Sequence, residues 1–86
     1  MIVYVSTHLH GYTGGKSKLT VDGVTVADVL ENLESMFPGV RFRVVDEQGE
    51  IREHIRFFLN AERIDRLDLP VKEMDELHIL GALSGG

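Results

Sequence analysis

The stretch "TVADVLENLESMFPG" (residues 25–39) is where the chain changes period, and no other segment limits the fold so strongly. Val26, Val29, Leu30, Leu33 and Phe37 occupy the i, i+3, i+4, i+7, i+11 positions of one helical face. Thr25 is placed to accept from an early amide, and Asp28 sets a carboxylate near the positive end of the helix dipole. Pro38 has no N–H to extend the ladder and Gly39 tolerates a left-handed cap, so the helix is predicted to stop there. Strand-like patterns lie on both sides. With 86 residues in all, the chain has room for one core, made by laying that helix over one face of a sheet.

The flanking segments supply the strands. "IVYVSTHL" (2–9) is rich in β-branched residues and reads as a buried first strand, "HGYTGGKS" (10–17) as a turn, and "KLTVD" (18–22) as the return of a hairpin with Leu19 and Val21 on one face. "VRFRVV" (40–45) sets Val40, Phe42 and Val44 against Arg41 and Arg43, the alternation of a third strand. "DEQGE" (46–50) is a turn. "IRFFLNAERI" (55–64) places Ile55, Phe57 and Leu59 inward and Arg56, Phe58 and Asn60 outward before turning at "NAER". "LDLPVKEMDE" (67–76) is irregular, because Pro70 does not suit a central strand. "ELHILGAL" (76–83) closes the pattern, with Leu77 and Ile79 inward and His78 and Leu80 outward. The expected class is α+β in the order ββαβββ.

Composition removes several chemistries. There is no cysteine, hence no disulfide, thiolate nucleophile or sulfur-ligated metal, which agrees with a reducing cytoplasm. The start "MIVYVSTHLHG" has neither the charged nor the long apolar part of a signal peptide, and no run approaches the roughly 20 apolar residues of a membrane span. A net charge of −5 makes nucleic acid a poor partner and a basic partner surface the easier expectation. "GYTGGKS" imitates a phosphate-binding loop, but Gly11 is one residue too close to Gly15 and strand follows Ser17 where a helix is required. His8 and His10 share one face if their segment is a strand, yet two imidazoles do not fill a zinc site; with His54 and His78 they read as surface histidines. Asp46, Glu47 and Glu50 around Gly49 read as solvated turn chemistry rather than paired catalytic acids. Intrinsic catalysis is not expected.

The sequence finishes in "LGALSGG". Gly85 and Gly86 would end it in a carboxylate with no neighbouring Cβ, on a segment able to thread a narrow channel. From Leu80 to Gly86 an extended chain reaches roughly 20 Å. The expected division is a domain over 1–81 and a flexible tail over 82–86.

The ββαβββ order, the single capped helix, "FFLNAERI" and "LPVKEMDELHILGALSGG" together resemble the ubiquitin-like, β-grasp sulfur carriers of the MoaD/ThiS family. These include the molybdopterin-synthase small subunit and the carriers of thiamine and cysteine biosynthesis. The resemblance implies a protein substrate rather than an enzyme, with no cofactor of its own. An adenylyltransferase of the ubiquitin-activating type would use ATP and magnesium to adenylate Gly86. A sulfurtransferase or other persulfide donor would convert the adenylate to a thiocarboxylate, and a downstream synthase would accept the sulfur. Gly85 and Gly86 match the family pattern, and Leu83 and Ser84 stand where relatives carry an apolar and a small residue. Gly81 departs from the proline common in relatives and is expected to loosen the tail. Phe58 and Leu80, both outward by alternation, form the expected partner contact, with Arg41, Arg43 and Arg56 as a possible basic stripe beside them. Two alternatives stay open: a modifier joined through Gly86 to lysines of other proteins, and a non-covalent β-grasp binding module.

Overall fold

The computed structural model describes residues 1–81; the expected tail, with Leu83, Ser84, Gly85 and Gly86, lies outside the described residues. Five strands form one mixed sheet: β1 (Ile2–Val5), β2 (Lys18–Thr20), β3 (Ile55–Leu59), β4 (Glu62–Ile64) and β5 (Glu76–Gly81). Their spatial order is β2-β1-β5-β3-β4. Only the central β1–β5 pair is parallel; the other neighbours are antiparallel. Two helices, α1 (Val26–Met36) and α2 (Val40–Val44), cover one face, giving the α+β β-grasp arrangement that the sequence led us to expect.

Helix α1 forms as its pattern dictates. Val26, Val29, Leu30 and Leu33 are buried, and Thr25 Oγ1 accepts from the Asp28 amide at 3.1 Å. The first free amides of α1 are also spent, Val26 N–H donating to Leu69 O and Ala27 N–H to Leu67 O. The segment around Pro70 thereby ties down the helix start, and Pro70 itself sits in an isolated bridge with Thr25. The inner sheet face supplies Val3, Val5, Ile55, Phe57, Leu77 and Ile79 to the same core, with Phe57 fully buried.

Three expectations fail here. "VRFRV" is helix α2, not a strand. Val40 and Val44 are one helical turn apart and both buried, whereas Phe42 points out at 56% exposure. Two things favour the helix. Gly39 turns the chain at φ 101°, and the Glu34 carboxylate accepts from the Gly39 and Arg41 amides at 2.8 and 2.9 Å. Those amides, Gly39 first, hold the Glu34 carboxyl below its ordinary range. The fifth strand is instead β4, which follows the turn at Asn60 within the segment expected to be one strand and a turn. Asn60 takes a left-handed φ of 56°, which asparagine tolerates better than most residues. Its side chain is fixed from both ends, donating to Asp75 Oδ1 and accepting from the Glu76 amide. The first strand is also shorter than expected, because Thr7–Tyr12 winds into a 3-10 helix.

Candidate functional site

The outer sheet face has no helix on it. Strand alternation and the pairing register set Lys18, Tyr4, His78, Phe58 and Arg63 in one row across all five strands. At its centre the rings of Tyr4 and His78 are stacked, with centroids 4.7 Å apart and planes at 13°. Lys18 Nζ lies 5.9 Å from the Tyr4 ring centroid on one side. His78 Nε2 stands 3.5 Å from Glu76 Oε1. One row nearer the C-terminus, Leu80 is 39% exposed and faces Arg56 on β3.

Phe58 and Leu80, the predicted contact pair, therefore do share a face, as diagonal neighbours on antiparallel β3 and β5. Phe58 is half-buried, so its ring offers an edge rather than a knob. Tyr4 and His78 complete the apolar surface. His78 was expected to face outward and Tyr4 was not singled out; the parallel β1–β5 pairing brings them together, and that pairing joins opposite ends of the sequence.

The proposed basic stripe is not assembled. Arg41 belongs to the helical layer, where its Nε is 3.0 Å from Glu31 of α1, and Arg43 lies over the Tyr12 ring at 5.6 Å. Arg56 alone reaches the outer face. There it is joined by Lys18 and Arg63, which the sequence did not single out. The row through Tyr4 and His78 ends in a cation on each edge strand, Lys18 on β2 and Arg63 on β4, while Glu76 stands beside His78.

Gly81 ends β5 and is the last described residue. Gly81 itself is held in the sheet, its N–H donating to Ser6 Oγ at 2.8 Å. A Cβ placed on it would come within 3.1 Å of His8 Cβ, so a larger residue here would press on His8. The looser tail expected beyond Gly81, with Gly85 and Gly86, the residues expected to carry the chemistry, lies outside the described residues.

The other candidates fall away for physical reasons. His8 and His10 lie on the 3-10 helix rather than alternating along a strand. Among the described residues no group of His, Asp and Glu could hold a metal. The "GYTGGKS" loop leads into β2, with Gly14 and Gly15 at positive φ and Thr13 Oγ1 bonded to Lys16 O at 2.7 Å. Asp46 Oδ1 accepts from the Gln48 and Glu50 amides, which is turn chemistry. No helix among the described residues is long and apolar enough to cross a membrane.

Comparison with known proteins agrees with this geometry. The sulfur carrier protein CysO of Mycobacterium tuberculosis is 27% identical over 89 residues, covering 98% of this chain and 96% of that protein. Among solved structures, a chain of the BexX/CysO complex of Amycolatopsis orientalis superposes with a TM-score of 0.90 at 32% identity, covering 99% of this chain and 98% of that one. Small archaeal modifier protein 1 of Haloferax volcanii gives 0.79 at 31% identity, over 100% of this chain and 98% of that one. The family model described as the ThiS family matches residues 3–86, and the chain belongs to that family.

Proposed function

We propose that this protein is a small sulfur carrier, acted on by partner enzymes rather than catalysing a reaction itself. The observation that carries this is the match to the ThiS family and to CysO over nearly the whole chain. In this function Gly86 is the reactive residue. An adenylyltransferase of the ubiquitin-activating type, with ATP and magnesium, joins AMP to the Gly86 carboxylate and releases pyrophosphate. A persulfide sulfur then displaces AMP, and cleavage of the resulting acyl disulfide by a thiol leaves the thiocarboxylate. A downstream synthase in molybdopterin, thiamine or cysteine biosynthesis accepts the sulfur. Leu83, Ser84 and Gly85 guide the carboxylate into the adenylating site. Glycine at the end suits this role because no Cβ crowds the acyl carbon or restricts the approach.

The outer sheet face is the docking surface in this account. It combines half-exposed apolar side chains with cationic flanks and lies on the strand that leads into Gly81. The matching partner surface is apolar with acidic residues around it.

The direct test of activation is ATP–pyrophosphate exchange with an adenylyltransferase of this type. Exchange should depend on the chain and vanish when Gly86 is deleted. Exchange that persists without Gly86 would reject it as the adenylated residue. A second function, covalent attachment through Gly86 to lysines of other proteins, is favoured by the likeness to the archaeal modifier. Isopeptide-linked conjugates recovered from cells would identify it, since the same adenylate serves both outcomes.

A further inference from the structure

Where β1 ends, its ladder with β5 is continued by a side chain. Ser6 N–H donates to Ile79 O at 3.0 Å, the last backbone rung from β1. In a parallel ladder the next rung would run from the Gly81 amide to the Ser6 carbonyl. That carbonyl is already occupied, accepting from Leu9 N–H at 2.9 Å as the chain enters the 3-10 helix. The Ser6 hydroxyl takes its place, accepting from Gly81 N–H at 2.8 Å. Ser6 occupies the N-cap position of the 3-10 helix, where a serine hydroxyl commonly accepts from that helix's own early amides, yet it makes no such bond. The hydroxyl is spent across the strands. On the same side His8 Cβ stands 3.1 Å from where a Gly81 Cβ would be, so a side chain at position 81 would press on His8.

We propose that the Ser6 hydroxyl clamps Gly81 at the end of the β5 ladder, and that Ser6 is a positioning residue for activation at Gly86. The inference rests on the carrier function proposed above. The clamp acts before binding. With Gly81 held in the sheet beforehand, less entropy is lost on docking. A proline at position 81 has no N–H for this bond, so the clamp requires a residue that donates there. Glycine donates it and brings no Cβ toward His8.

The experiment compares wild type, Ser6→Ala, Ser6→Thr and Gly81→Ala in adenylate formation by the adenylyltransferase that activates the wild-type chain. Hydrogen exchange at the Gly81 amide is followed in parallel. Loss of one side chain–backbone bond predicts a KM roughly five-fold higher for Ser6→Ala. Its kcat should be unchanged, because the bound segment is held by the enzyme, and the Gly81 amide should exchange faster. Ser6→Thr keeps the hydroxyl and should restore both values. Gly81→Ala keeps the N–H but sets a Cβ against His8, which should weaken the rung and raise KM; its Tm, read alongside, separates this from unfolding and covers the case of a poorly folded Ser6→Ala. Fast Gly81 exchange in Ser6→Ala with KM unchanged would overturn the inference while leaving the carrier function standing. Failure of the wild-type chain to be adenylated at all would instead overturn the carrier function, and the clamp's role in activation with it.

Discussion

The two faces of the central strand β5 obey different rules. Leu77 and Ile79 point into a closed apolar layer against α1 and α2, where every neighbour is fixed by volume. His78 and Leu80, one residue away, point to a face that no helix covers among the described residues, where the Tyr4–His78 stack lies in one row with Phe58 and Leu80 is paired with Arg56. The same six-residue strand therefore has one face in the core and one facing outward, the latter being the recognition half in the proposed function. Substitutions on the inner half should appear as lost stability, and substitutions on the outer half as lost partner affinity in a protein that still folds.

The largest effect that would break this contrast lies inside. Phe57→Ala empties a fully buried site and should cost about 3–5 kcal/mol, read from denaturant unfolding. A cost under about 1 kcal/mol would mean the inner face is not the organising layer. Across the sheet, the double variant Phe58→Ala/Leu80→Ala should raise the Kd for the activating enzyme about ten-fold or more with little change in Tm. Equal loss of stability and affinity would erase the distinction between the faces. Next in size is Thr25→Ala, which removes the α1 cap and should cost about 1 kcal/mol of stability without altering enzyme affinity.

The smallest effect concerns Glu34, on the helical layer away from the outer face. Its carboxylate is held below the ordinary glutamate range, first by the Gly39 amide and then by the Arg41 amide. A depressed folded-state value means the contribution is present above the unfolded-state pKa and is lost as pH falls through the folded-state pKa. Stability should therefore decline on acidification below the ordinary glutamate range. Glu34→Gln should flatten that part of the pH profile, measured as Tm against pH, while enzyme affinity is unchanged.

How much of this was legible in the sequence depended on the length of each pattern. Helix α1 offered eleven residues of consistent period and a recognisable cap, and the structure agrees with it. The inward sets of β3 and β5 were likewise readable, since Ile55, Phe57, Leu77 and Ile79 are buried and their neighbours are not. Residues 40–44 were not readable. Over five residues, positions 40 and 44 are compatible with both a strand face and a helical turn, and only Phe42 separates the two. Phe42 is apolar yet exposed, and Arg52, from outside the window, lies over its ring at 4.6 Å. Strand β4 is a three-residue edge whose first two residues, Glu62 and Arg63, are exposed, so it has no apolar period to detect. At the candidate site, Phe58 and Leu80 were found by alternation alone. The Tyr4–His78 stack and the Ser6–Gly81 bond escaped because both depend on which strands are neighbours, and the parallel pair joins residues about seventy positions apart.

The most direct test of the account is the intact mass of the chain after incubation with its adenylyltransferase, ATP, magnesium and a persulfide donor. The account predicts a gain equal to one oxygen-to-sulfur exchange, located at Gly86 by fragmentation and abolished when Gly86 is removed. An unchanged mass, under conditions in which the same enzyme mixture converts an established carrier, would contradict it.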